Sequence, residues 1–174
     1  MPICSKFFSW SSAAGYLREQ ILDGSIKHLT VDVFDTLLLR LTTPETVIGS
    51  TCRFVAARTG TTETQARQAR DQAWADECRV AVEDGRDPDM PVEVLFSKWL
   101  ARLPAVGSAG LLAEQVLDHE MEAEAACLAA NRDMLDLLRT ARERGVRVTA
   151  VSDMYLSPTL VSGLLARHGF EGLG

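Results

Sequence analysis

At 174 residues and 47% hydrophobic, the chain has an ordinary globular composition and is long enough for one sizeable core with a small satellite domain. A net charge of −6 at pH 7 and a pI near 5.1 supply no basic field for nucleic acid or anionic lipid, so polyanionic macromolecules are not expected as partners. The four cysteines, Cys4, Cys52, Cys78 and Cys127, show neither close pairing nor metal-ligand spacing and read as structural thiols of a reduced, cytoplasmic protein.

Residues 1–15 contain Lys6 and a brief Phe7-Phe8-Ser9-Trp10, too short and too interrupted by serines for a signal sequence or a membrane span. A helix is expected over residues 12–22, with Tyr16, Leu17, Ile21 and Ala13 on its packed face and Asp23-Gly24-Ser25 ending it. Residues 27–32 include the β-branched Thr30 and Val31 beside Leu29 and end in an acid. Apolar periodicity alone does not separate a buried strand from a buried helix, but the carboxylates and turn residues that follow favour a strand. A parallel strand opens at its carboxyl end into the crevice where open α/β sheets bind ligands, which is where Asp32 would stand. The first helix would cover it, since a parallel sheet buries both faces.

Residues 37–41 read as a short turn or ribbon. Thr43-Pro44-Glu45 then gives an N-cap, a proline at the first helical position and an acid in the first turn, for a helix running to Thr59 and stopped by Gly60. Thr62-Glu63-Thr64-Gln65 is a capping box, and Ala66, Ala69, Ala73, Trp74, Cys78 and Val82 form the expected stripe of the next helix. After a polar break at residues 83–89, Pro91 starts a third helix carrying Val92, Leu95, Phe96, Trp99 and Leu103, and residues 108–128 a fourth. Trp74 and Trp99 are both expected to be largely buried. The acidic run from Asp118 to Glu124 invites a metal reading, but no matching ligand motif occurs in the other helices, so a solvated face is preferred.

Asn131 is the next N-cap, with Met134, Leu137, Leu138 and Ala141 as the packed face and Gly145 as the stop. A second β-branched run, residues 146–151, leads to Ser152 and Asp153, so two strands would deliver polar groups to the same end. Ser157-Pro158 begins a final helix to about His168.

Asp32-Val33-Phe34-Asp35-Thr36 resembles the first motif of the haloacid dehalogenase superfamily of hydrolases, and Ser152 the Ser/Thr that ends its second. The wording Ser152-Asp153-Met154-Tyr155-Leu156 is similar to a subgroup associated with bacterial glycosyltransferases. The resemblance implies an α/β fold: a Rossmannoid parallel-sheet core in residues 1–41 and 131–174, interrupted by a helical cap in residues 42–130 that closes over the active site. It implies Asp32 as nucleophile on a small phosphorylated substrate, with Mg²⁺ held by Asp32 and the carbonyl of Phe34. Ser152 would donate a hydrogen bond to the phosphoryl group, and Thr36 belongs to the same substrate-binding set.

Two departures stand out. Phosphatases of the superfamily place a general acid two residues after the nucleophile, where this chain has Phe34; Asp35, one residue later, is a candidate substitute acid or a loop-fixing residue. An apolar residue there is similar to the dehalogenase branch, which attacks carbon. No lysine follows Lys98 and no strand-like run follows Phe170, so the later motifs are missing and an incomplete, inactive domain is expected. A non-catalytic interaction domain of a larger protein is the alternative.

Overall fold

The two runs expected to be strands do pair with one another. In the computed structural model, which describes residues 6–85, 90–104 and 111–173, β1 (His28–Asp32) and β4 (Arg147–Val151) form a parallel pair in which His28 stands opposite Arg147 and Asp32 opposite Val151. Cys4, the end of the polar break at residues 86–89 and the helix start expected at Ser108 lie outside the described residues. Seven helices and four strands are described, a mixed α/β architecture dominated by helix. The chain divides into two compact units: one holds the residues up to Arg40, Leu128–Asp153 and those from Leu165 on, and the other holds Leu41–Cys127 and Met154–Leu164.

In the first unit, α1 (Trp10–Leu22) begins one turn-half earlier than expected because the Ser9 side chain accepts from the Ser12 N–H as N-cap. Its buried residues are Ala14 and Ile21, whereas Tyr16 is exposed and leans on Phe7 with ring centroids 5.2 Å apart. The helix packs on α6 (Arg132–Glu143), which buries Met134, Leu137, Leu138 and Ala141 as the pattern predicts. Four such side chains stabilise the unit by about 1.5–3 kcal/mol for each large one. Asn131 caps α6, and Gly145, at φ 69°, takes the left-handed position that lets the chain turn at once into β4. β1 buries Leu29 and Val31 and leaves His28, Thr30 and Asp32 exposed, so the expectation of a sheet buried on both faces is corrected. The alternation is that of a half-covered strand.

A second pairing joins β2 (Leu38–Arg40) to β3 (Leu128–Ala130), antiparallel, with Leu38 opposite Ala130. β3 lies within residues 42–130, the segment expected to be helical throughout, and begins at Leu128, the expected end of the fourth helix, so that expectation is corrected. The Cys127 N–H closes that helix on Ala123 and Glu124 carbonyls, and pairing takes over from there.

The second unit is a helical assembly of α2 (Pro44–Thr59), α3 (Glu63–Glu83), α4 (Val92–Leu100) and α5 (Ala113–Ala126), with residues 154–164 clustered alongside. The division therefore runs differently from the boundaries at 42 and 130 drawn from sequence. Gly60 (φ 70°) closes α2 and the Thr62/Gln65 capping box opens α3, as expected. The face that α3 buries is rotated from the expected stripe. Ala66, Arg70, Ala73 and Ala81 are buried, Val82 is exposed, and Trp74 is 36% exposed while Trp99 is fully buried. The small alanines explain the rotation: they admit the Trp99 indole, whose Nε1–H donates to the Ala66 carbonyl at 2.7 Å.

Candidate active site

The turn after β1 is built from its own backbone. The Leu37 and Leu38 N–H groups both donate to the Val33 carbonyl, at 2.8 and 2.9 Å, and the Asp35 N–H donates to the Leu38 carbonyl at 2.8 Å. Such tight winding requires a left-handed residue, and Asp35, at φ 57°, is the described non-glycine residue that supplies it. Its carboxylate turns back on the same loop, accepting from the Arg40 N–H at 3.4 Å. The buried Asn131 anchors the far side: its amide donates to the Thr36 carbonyl and its backbone N–H to the Leu37 carbonyl, both at 2.8 Å. Thus the N-cap of α6 also fixes the loop between β1 and β2.

The loop presents Asp32 at the carboxyl end of β1. The Thr36 hydroxyl donates to Asp32 Oδ2 at 2.9 Å, leaving Oδ1 without a hydrogen bond among the described residues. Asp32 is exposed, Phe34 is half-buried under the Arg40 guanidinium at 5.1 Å, and Asp35 is exposed. The register that sets Asp32 opposite Val151 brings Ser152 and Asp153, both exposed, to the same end of the parallel pair. The Val33 N–H donates to the Val151 carbonyl at 3.1 Å, continuing the ladder to the edge of this site. Asp32, Phe34, Asp35, Thr36 and Ser152 therefore all belong to the first unit and to one strand end.

No lysine follows Lys98 in the sequence. Lys27 precedes β1 at its amino end, and Lys98, in α4, forms an ion pair with Glu77 of α3. Among the described residues no group of three or more His, Cys, Asp or Glu side chains gathers closely enough to hold a metal ion. The donors available are hard oxygens, the Asp32 carboxylate and the Phe34 carbonyl, which suit Mg²⁺ in kind; water would complete most of its octahedron.

A second polar constellation, inside the helical unit, was missed by sequence reasoning. Arg70 and Glu120, 6% and 2% exposed, pair in bidentate fashion at 2.5 and 2.8 Å, and the Tyr155 hydroxyl donates to Glu120 Oε1 at 2.9 Å. The Arg70 guanidinium also lies 5.3 Å from the ring centroids of both Phe96 and Trp99. Burial pulls its pKa down, but the Glu120 hydrogen bond and charge more than offset that, leaving it above the usual arginine value. Burial, reinforced by the Glu120 charge, pushes the Tyr155 phenol well above its ordinary pKa, so the hydroxyl stays a donor. The solvated reading of the acidic run holds for Asp118 and Glu122, which are exposed, and is corrected for Glu120 and Glu124, which are buried. His119 is half-buried, stacking on Phe54 with centroids 4.3 Å apart. A signal existed: Glu120, Met121 and Glu124 share a helix face with Val116.

Compared with protein-family models and with curated proteins, the chain gives no match to either.

Proposed function

We propose that the chain carries a hydrolase site of the haloacid dehalogenase type, in which Asp32 attacks the phosphorus of a small phosphomonoester. The core would be Rossmannoid, with the helical segment Leu41–Cys127 as its cap. The observation that carries this reading is the parallel register of β1 and β4, which brings Asp32 and Ser152 to one strand end with Asp32 Oδ2 held by Thr36. The Asp32 carboxylate forms a bond to phosphorus as the ester P–O bond breaks, and the alcohol leaves with a proton from water or from a nearby acid. Water then attacks the acyl phosphate, releasing inorganic phosphate and restoring the carboxylate.

Thr36 orients the nucleophile in this scheme, and Ser152 donates to a phosphoryl oxygen. Asp35 holds the loop, because its carboxylate already accepts from the Arg40 N–H and its backbone turns the chain. Mg²⁺, held by Asp32 and the Phe34 carbonyl, would neutralise phosphate charge when bound. The substrate class to try first is sugar phosphates. With no lysine after Lys98 to screen the two anions, turnover by residues 1–174 is expected to lie near background.

The test therefore reads adduct formation. With Mg²⁺ and beryllofluoride, a mimic of the aspartyl-phosphate, ¹⁹F NMR should show a bound species in the wild type and none in Asp32→Asn. No bound species in the wild type at millimolar reagent, or an equal one in the variant, would remove Asp32 as nucleophile. Asp35→Asn should keep the adduct, consistent with a loop-fixing role.

A further inference from the structure

A cavity of about 420 Å³ opens among α2, α3, α4 and the segment carrying Tyr155, all within the helical unit. Its lining is Ile48, Arg70, Asp71, Trp74, Leu95 and Tyr155. The size falls in the range of sites that enclose small organic ligands. Its charges are already matched: Arg70 gives both terminal nitrogens to Glu120, and the two Asp71 oxygens accept from Arg67 Nε at 3.1 and 3.2 Å. An ionic ligand would meet no unpaired counter-charge there and would lose its hydration. Tyr155 has committed its hydroxyl to Glu120, which leaves its ring as the surface available to an occupant.

Trp74 points the same way. Among the described aromatic residues of the helical unit it is the exposed one, although Phe96 and Trp99 nearby are fully buried. We propose that this cavity is a binding site for a neutral, planar aromatic group, which slots between Ile48 and Leu95 and contacts the Trp74 and Tyr155 rings. Stacking and edge-to-face contacts with these rings favour an aromatic occupant over an aliphatic one of equal area. The matched charges explain the preference for neutrality. The proposal is independent of the hydrolase reading, since none of its residues belongs to the Asp32 site.

The probe is 2-naphthol, added to the 174-residue chain at pH 7 and followed through the tryptophan indole N–H signals in ¹H–¹⁵N NMR. The Trp74 signal should move along a single saturable curve. Naphthalene-2-sulfonate, which has the same ring and a charge, and cyclohexanol, which is neutral and aliphatic, should each bind about ten-fold more weakly or worse. Followed by the fluorescence anisotropy of 2-naphthol itself, Trp74→Phe should bind nearly as wild type, while Trp74→Ala should lose about ten-fold. Ile48→Trp, which fills the cavity from its half-buried wall, should abolish binding with the remaining indole signals unmoved. Absence of saturable 2-naphthol binding to the wild type, or equal binding by Ile48→Trp, would overturn the proposal. So would sulfonate binding as tight as that of the neutral ring.

Discussion

Asp35 concentrates what a single residue can do in this fold. It turns the backbone at φ 57°, donates its N–H to Leu38 and accepts from Arg40, all while sitting three positions after the candidate nucleophile. An L-residue in this region costs about 1–2 kcal/mol, which aspartate offsets partly through its local hydrogen bond. Asp35→Ala should therefore lower stability by about 1–2 kcal/mol, and Asp35→Gly, free of the steric penalty, should lose less. Urea denaturation distinguishes the two; if glycine is as damaging as alanine, the carboxylate contact rather than the turn sets the requirement. Cys52 offers a second check. Burial holds its thiol at about 11 against an ordinary 9.0, which leaves only about one part in a thousand as thiolate at pH 8. Mapped iodoacetamide labelling should find it far slower than the partly exposed Cys78 and Cys127. Alkylation of all three at one rate would contradict that protection. At this scale Asp32, Phe34, Asp35, Thr36 and Ser152 were legible because they are contiguous in sequence or end a strand. The loop's dependence on Asn131 was not, since it joins residues 95 positions apart.

Element boundaries were legible where backbone chemistry marks them, at Gly60, Thr62, Asn131 and Gly145. The face of α3 was not. Its apolar residues suggested a stripe through Trp74 and Val82, but the helix buries alanines and Arg70, because Glu120 from α5 neutralises the guanidinium and Trp99 from α4 needs small neighbours. No periodicity in α3 alone can report a partner carried fifty residues away. Removing one member of this pair should be costly: Glu120→Gln or Arg70→Met leaves the other group buried without its counter-charge, for a loss of about 3–5 kcal/mol. The joint replacement Arg70→Met/Glu120→Leu/Tyr155→Phe removes every polar group of the cluster and should cost less than either single change. Chemical denaturation of the set measures this. Additive losses across the variants would mean that the three side chains do not act as a unit.

At the scale of the whole molecule, the two units differ in how they should respond to alkali. Cys52 and Tyr155, an acid pair with pKa values raised by burial, both belong to the helical unit, and both hold their protons more firmly folded than unfolded. As pH rises the unfolded chain therefore releases protons first, and stability falls with pH. The contribution is complete below about pH 9, declines from there to about 11 for Cys52, and declines from 10 upward for Tyr155. Ionised Tyr155 would also face the Glu120 carboxylate that its hydroxyl now serves, with Glu124 close enough to add repulsion. The buried Trp99 indole reports on this unit, so urea unfolding is best followed in a Trp10→Phe/Trp74→Phe background. Its midpoint should drop between pH 8 and pH 10.5, and the drop should shrink when Cys52→Val and Tyr155→Phe are added. Hydrogen exchange of β1 and β4, which carry neither group, should show the smaller loss of protection over the same range once corrected for intrinsic rates. A midpoint equally sensitive to pH with both groups removed would assign the alkaline response elsewhere. A greater loss of protection in the β1–β4 pair than in α3 and α5 would place its origin in the first unit.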